Sequence, residues 1–558
     1  MIEAHPDAGK RLDPSRLIDV GKVIRAYYEF APEPGRAEQR VMFGTSGHRG
    51  SALAGSFNES HILAISQAVC LHRARAGISG PLFLGIDTHA LSAPASRTAI
   101  EVLAANDVKV VTDARDGFTP TPAISHAILA YNRGRTRGLA DGVVMTPSHN
   151  PPEDGGFKYN PPHGGPSEPQ VTGSIEGLAN ALLDAKLEGV RRLPYERASH
   201  SPALARRDFR TAYVADLAAV VDMEAIRAAG VRLGIDPLGG AAVDYWPAII
   251  DHYGLDARMV SDVVDPTFGF MPADRDGRIR MDCSSPYAMA PLVALRGRFD
   301  ISVGNDPDAD RHGIVTAAQG LMNPNDYLAA CVAYLFANRP LWPQTSGIGK
   351  TMVTSALIDR LASRLGRPLV ETPVGFRWFV DGLLEGRLGF AGEESAGATL
   401  LRRDGSVWTT DKDGIALGLL AAEMMARTGR GPGALYDEVT ATLGRPHYRR
   451  TDAPATKPQK ERLKRLAPRR LEGREMAGES VIAVETIAPS GGGALGGVRV
   501  RTASGWFAAR PSGTEDLYKI YAESFRGPDH LRQIEGEAQK MIGASLAGAS
   551  SAPDTARA

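Results

Sequence analysis

A chain of 558 residues exceeds one ordinary core and points to three or four domains. Hydrophobic residues at 43% and charged residues at 23% fit a soluble globular protein, and Lys+Arg and Asp+Glu both total 64, so the net basic field that nucleic-acid binding needs is lacking. The longest apolar stretch, Gly414 to Ala422, stops at Glu423, well short of a membrane span. No secretory signal is read in Met1 to Lys10, and Cys70, Cys283 and Cys331 lie far apart without metal spacing. Buried thiols in a reducing, cytoplasmic compartment are expected. Glycine is abundant, at 61 residues, which favours turns and close backbone approaches.

In chain order, the first strand–helix–strand unit places a strand at Leu82–Asp87, a helix from about Ser92 and a strand at Val108–Val111. The apolar run Gly142–Met145 then leads into TPSHNPPEDGGFKYN, Thr146 to Asn160. Such a loop sits at the carboxyl edge of a parallel sheet, where α/β proteins place ligands. Pro147, Pro151 and Pro152 stiffen it around Ser148. The neighbouring His149 does not by itself define a catalytic triad, and no G-x-S-x-G elbow is present. From these residues alone, a structural turn and a catalytic serine both fit.

A seam is expected around Glu196–Arg207, where polar and small residues interrupt the pattern. A second unit starts at Val231 and repeats the Leu-Gly-Ile-Asp tetrad at Leu233–Asp236. The strand-like Phe299–Val303 precedes GNDPDADRHG, in which Asp306, Asp308 and Asp310 alternate. In an extended segment their carboxylates point one way and repel unless a cation sits among them. Hard oxygen donors suit Mg²⁺; a solvated acidic turn is the alternative. An EF-hand is excluded, because Arg311 stands where that loop needs glycine and Ala317 where it needs glutamate.

SGIGKT, Ser346 to Thr351, imitates a nucleotide loop, but Gln344 occupies the place of its first glycine, so a turn into a strand is expected. A third unit runs from Gly349 to Glu371. AGEESAGA follows apolar residues, and Glu393 and Ser395 either contact sugar hydroxyls or form a polar turn. The basic run Lys457 to Arg474 reads as a solvated helix face or linker, with another seam near Thr451–Lys460. Consecutive strands then carry RPSGTEDLYKIY, where Arg510, Ser512, Gly513 and Thr514 form either an oxyanion cradle or a tight turn. A helix from about Asp529 and a tail without periodic apolar residues, from Ser545, close the chain.

These motifs, in this order and together with FGTSGHRGS (Phe43–Ser51) and TPVGFRWF (Thr372–Phe379), resemble the α-D-phosphohexomutases over nearly the whole chain. The resemblance and the pattern imply an α/β protein: three related mixed α/β domains plus a C-terminal α+β domain around a central active-site cleft. The expected divisions are 1–200 with the phosphoserine loop, 201–320 with the metal loop, 321–450 with the sugar loop, and 451–558 with the phosphate loop and a disordered tail.

By resemblance, Ser148 is the phosphoserine, and its phosphate with Asp306, Asp308 and Asp310 binds Mg²⁺. The implied reaction interconverts glucose 1-phosphate and glucose 6-phosphate through glucose 1,6-bisphosphate, which turns around without leaving. Lys158 matches the proton-transfer lysine, Arg49 and Arg311 charge-stabilising arginines, and Lys412 a substrate contact. Glu393 and Ser395 hold the sugar; Arg510, Ser512, Gly513, Thr514 and Lys519 grip the distal phosphate. Val374 replaces a threonine of some relatives, leaving backbone contacts from Val374 and Gly375. Gly397 stands where the mannose and glucosamine branches carry histidine, which favours glucose over those two alternatives. A non-catalytic sugar-phosphate-binding relative is the rival of another class; it would lose the serine, an aspartate or Arg510, all present here. The partners implied are small sugar phosphates, with no nucleic acid and no membrane, and a monomer or homodimer.

Overall fold

The computed structural model describes residues 4–44, 47–468, 471, 475–490, 493–512 and 517–547. They form two compact bodies, one of Ala4–Ile348 with Gly375–Tyr436 and one of Gly349–Val374 with the described residues from Asp437 onward.

In the first body, the Leu82–Asp87 expectation becomes the strand Leu82–Ile86, followed by the helix Ser92–Ala105. The next strand is Val110–Asp113, two residues later than its apolar content suggests. Leu82–Ile86 lies parallel to both Val110–Asp113 and Asp141–Met145. Asp154–Asn160 instead returns antiparallel to Asp141–Met145, since the loop between them is too short for a helical crossover. Gly47–Ser51 adds on beyond it, also antiparallel. The opposite edge is Leu204–Arg207, parallel to Val110–Asp113. The boundary expected after residue 200 therefore falls short: the seam around Glu196–Arg207 contains a strand of the first sheet.

A second mixed sheet runs in the order Gly320–Leu321, His312–Thr316, Ile301–Asn305, Leu233–Asp236, Ala257–Met259. Its Leu-Gly-Ile-Asp strand is the buried counterpart of Leu82–Ile86, and its neighbour Ile301–Asn305 delivers the aspartate loop. Leu388–Glu393 and Gly397–Leu400 pair antiparallel around the Glu-x-Ser turn. The N-terminal segment straps the second sheet's long connection, with His5 donating to the Arg275 carbonyl and Ala273 to that of Lys10. Leu12 and Leu17 pack against the buried cluster beneath.

The apolar run ends at Glu423, but the helix it belongs to continues past it. The helix Gly414–Thr428 carries Glu423 into the interior, where it is 1% exposed. Its carboxylate accepts two bonds from Arg339, at 2.6 and 2.9 Å, one from Tyr334 Oη and one from the Asp222 amide. A buried charge is tolerated because its lone pairs are taken. Among the described residues, no helix is long and apolar enough to cross a membrane.

In the second body, His447–Pro454, Leu517–Ser524, Gly505–Pro511, Ala494–Arg501 and Ala483–Ile487 form an antiparallel sheet in that order. His447–Pro454 straddles the boundary expected at 450. Lys350, from the SGIGKT run, is a buried strand lysine paired with Glu371 at 3.1 Å. Arg499 grips the same Glu371 with two bonds at 2.6 and 2.7 Å, joining Gly349–Val374 to the sheet. The basic run is more than a solvated face: the helix Lys457–Lys464 exposes its cations, while Leu463, Leu466 and Leu471 enter the core. The closing helix, Pro528–Ala547, continues three residues into the segment expected to be a tail; the rest of that segment lies outside the described residues.

Glu423→Leu strands the Arg339 guanidinium and is expected to destabilise the first body by about 3–5 kcal/mol, read by chemical denaturation. Arg339→Met in the same chain should recover most of the loss. A Glu423→Leu protein as stable as the parent would contradict this account.

Candidate active site

Ser148 follows the strand Asp141–Met145 and adopts a positive φ of 58°, a region that non-glycine residues enter rarely and at a cost. It is 1% exposed. Its amide donates to Thr146 Oγ1 at 2.8 Å, and Thr146 Oγ1 donates to Asp87 Oδ2 at 2.6 Å. Two glycines let the neighbouring strand pass close beneath. A Cβ on Gly156 would lie 2.0 Å from the Thr146 carbonyl oxygen, and one on Gly155 would lie 2.3 Å from the Phe57 ring. Arg49, from the strand Gly47–Ser51, donates to Asn150 Oδ1 at 3.0 Å.

The aspartate loop meets this serine directly. Ser148 Oγ donates to Asp306 Oδ2 at 2.7 Å and lies 3.2 Å from His149 Nδ1. The three carboxylates converge, with one oxygen of each within 4.8 Å of the others. A turn brings them together rather than the extended alternation expected; Ala309 at its tip has a φ of 54°. The counterpart strand supports this turn as the first supports the serine. A Cβ on Gly240 would lie 2.4 Å from Pro307 Cα, and the Ala241 amide donates to the Pro307 carbonyl. Thr121 holds Asp308 through both its amide and its hydroxyl.

Cations surround the trio. Lys158 Nζ bonds Asp308, and Asp310 at 3.0 Å; Lys412 Nζ lies 3.1 Å from Asp310 and 3.0 Å from Asp411. Arg311 donates its amide to Asp306 and extends its guanidinium towards Asp282, 3.8 Å away. Burial, then the charges of Asp308 and Asp310, hold the Asp306 carboxyl well above the carboxylate range. Burial pushes Asp310 the same way, but Lys158, Lys412 and Arg311 outweigh it and hold its carboxyl far below that range.

The donor set fits a hard divalent cation. Asp308 Oδ1 and Asp310 Oδ1 are buried with no hydrogen-bond partner among the described residues. A buried carboxylate oxygen left bare is costly, and an oxygen-seeking ion satisfies it.

The sugar-loop residues belong to the same body. Glu393 accepts the Gly375 amide at 3.0 Å, and burial pushes its carboxyl up to about 7, against the pull of Lys412. Ser395 is half-buried at the turn. The loop is tied to the aspartate loop by the His312 amide on the Ala396 carbonyl and by a bridge between Arg311 and Gly397. Gly397 has a packing reason: its Cβ would meet Lys412 Cδ at 2.2 Å, so any side chain there displaces that lysine.

Val374, Arg510, Ser512 and Lys519 belong to the second body, while Gly513 and Thr514 lie outside the described residues. Arg510 and Lys519 face each other across antiparallel strands. Asp452 stands opposite Lys519 on the next strand, and Arg510 Nε is buried without a hydrogen-bond partner among the described residues.

Asp87, His89 and Thr146 beneath the serine, Thr121 and Asp282 around the aspartates, and Asp411 beside Lys412 carry no motif of their own and stand out only in the fold. The repeated tetrad was the available signal, since Asp87 directly follows one strand and Asp236 ends its counterpart.

Models described as "Phosphoglucomutase/phosphomannomutase, alpha/beta/alpha" domains I, II and III match residues 40–185, 211–320 and 323–443. A phosphoglucomutase of Komagataeibacter xylinus is 61% identical over 547 residues, covering 98% of this chain and 99% of that protein. The open form of parafusin (phosphoglucomutase) from Paramecium has the same fold, with a TM-score of 0.72 at 21% identity, over 93% of this chain and 97% of that one. A phosphoglucomutase/phosphomannomutase family protein from Burkholderia thailandensis gives 0.67 at 20% identity, over 91% and 99%. The domain models together match more than half of the chain, and the chain belongs to the phosphoglucomutase/phosphomannomutase family.

Proposed function

We propose that the chain interconverts α-D-glucose 1-phosphate and D-glucose 6-phosphate, with Ser148 carrying the phosphoryl group and glucose 1,6-bisphosphate as the intermediate. The observation that carries this reading is the 2.7 Å contact between Ser148 Oγ and Asp306 Oδ2, in a loop held at positive φ beside three convergent carboxylates. The 61% identity to a phosphoglucomutase along nearly the whole chain supports the glucose substrate.

Each residue then has a role. Asp306, Asp308, Asp310 and the Ser148 phosphate would hold Mg²⁺, which supplies charge neutralisation at the transferring phosphoryl group. Arg49 and Arg311 add fixed positive charge around that group. Lys158 lies buried among the aspartates, which outweigh its burial and keep it an ammonium, the form that gives a proton to a departing oxygen. Glu393, with its carboxyl near 7, accepts from or donates to a sugar hydroxyl in either orientation of the intermediate. Ser395, Lys412 and the backbone at Val374 and Gly375 complete the sugar contacts. Arg510, Ser512, Gly513, Thr514 and Lys519 take the phosphate not being transferred, in keeping with the facing arginine and lysine. A cytoplasmic monomer or homodimer acting on small sugar phosphates completes the assignment.

Intact-mass measurement after incubation with glucose 1,6-bisphosphate should show one added phosphoryl group on the parent chain and none on Ser148→Ala. The variant should lose mutase activity by a factor of about 10³ or more, the scale of removing an obligate nucleophile. Retained phosphorylation or activity would reassign the carrier.

A coupled assay with glucose, mannose and glucosamine 1-phosphates should rank glucose first. Gly397→His, which displaces Lys412, should lower glucose turnover. A preference of the parent chain for mannose 1-phosphate would overturn the substrate assignment.

A further inference from the structure

Beneath the serine loop lies a buried carboxylate–imidazole pair outside the roles assigned above. Asp87 follows the strand Leu82–Ile86 and accepts four bonds from three residues. Oδ2 receives Thr146 Oγ1 at 2.6 Å and His89 Nδ1 at 2.9 Å; Oδ1 receives the His89 amide at 3.0 Å and Ser92 Oγ. The far ring nitrogen, His89 Nε2, lies 3.1 Å from the carbonyl oxygen of Asn150. Both side chains are fully shielded from solvent.

The partners dictate the protonation. A carboxylate receiving only donors is ionised. An imidazole whose two nitrogens both face acceptors, one a carboxylate and one a carbonyl, carries a proton on each. His89 is thus held towards the imidazolium form. The charge balance agrees: burial is the largest single influence and opposes ionisation of both groups, yet the partner's charge and the hydrogen bonds together outweigh it.

The pair reaches the chain on both sides of Ser148. Through Thr146 Oγ1 it fixes the Ser148 amide, and through the Asn150 carbonyl it fixes the other end of the turn. Asn150 in turn receives Arg49 on Oδ1 and donates to Asp154. Serine at positive φ is held only if its surroundings over-determine it, and the two contacts span the strained residue.

We infer that Asp87, His89 and Thr146 form a positioning clamp, an ion pair with a hydroxyl relay, that holds Ser148 in the orientation required for phosphoryl transfer. The inference rests on Ser148 being the phosphate carrier. Thr146→Val has the same shape and lacks only the relay hydroxyl, whereas Thr146→Ser keeps it. Misplacing a reacting group by about 1 Å costs on the order of 100-fold.

The test pairs kinetics with NMR on the full chain. Thr146→Val and Asp87→Asn should lower kcat, and the rate of Ser148 phosphorylation by glucose 1,6-bisphosphate, by about 10- to 100-fold, with KM within about 2-fold. Thr146→Ser should stay within about 3-fold of the parent on the same scale. In parent protein carrying ¹⁵N-histidine, the resonance lost in His89→Gln should show protons on both ring nitrogens at a pH of about 8, above the ordinary imidazole value of about 6.5.

Parent-like kcat in Thr146→Val, or a His89 with one bare nitrogen, overturns the clamp. If the variants fail to fold, the parent spectrum decides alone. A parent chain that takes no phosphoryl group on Ser148 would instead defeat the carrier reading, a distinct outcome.

Discussion

Three carboxylates within 4.8 Å of one another, shielded from water and touching a serine hydroxyl, repel strongly unless opposite charge is brought among them. Lys158, Lys412 and Arg311 answer this demand, drawn from three separate parts of the chain. They do not complete it, because Asp308 Oδ1 and Asp310 Oδ1 have no hydrogen-bond partner among the described residues, the second only Arg311 Nε at 4.0 Å. On the proposed reading, a divalent ion and the Ser148 phosphate would fill that gap. Its ammonium groups lie beside Asp308, Asp310 and Asp411.

Holding such a site requires rigid edges. The serine and aspartate loops leave the carboxyl ends of strands in two sheets, and each adjoins a strand of the repeated Leu-Gly-Ile-Asp tetrad. Beneath one loop, Asp87 and His89 hold the turn; beneath the other, Gly240 lets the backbone press against Pro307. Burial pushes Asp236, the counterpart of Asp87, up to about 6, since it has no histidine beside it. One supersecondary unit, used twice, supports two chemically different loops.

Much of this was legible in the sequence because strands, stiff loops and acidic spacing are local signals. The Ser148 loop, the aspartates, Glu393 and Arg510 all follow or end apolar strands and carry their chemistry in contiguous residues. What was not legible depends on pairing across the chain. Nothing near Asp87 announces that it holds Thr146, and nothing near Glu423 announces Arg339. Leu204–Arg207 has two arginines and a half-exposed face, so its pattern resembles a linker until the parallel partner Val110–Asp113 is seen. In sequence Gly397 stands out for the histidine it lacks, whereas the Lys412 side chain occupying the space of its missing Cβ shows only in the fold. The aspartates converge as their spacing suggested, but through a turn with a positive-φ alanine at its tip.

The account stands on the carrier phosphate and the bound cation sharing one site at position 148. Phosphorus NMR of the phosphorylated chain titrated with Mn²⁺, a paramagnetic replacement for Mg²⁺, tests that proximity most directly. The phosphoserine resonance should broaden beyond detection at about one equivalent, and replacing Asp308 with alanine should restore it. A phosphoserine signal that stays sharp while Mn²⁺ is bound would contradict the account.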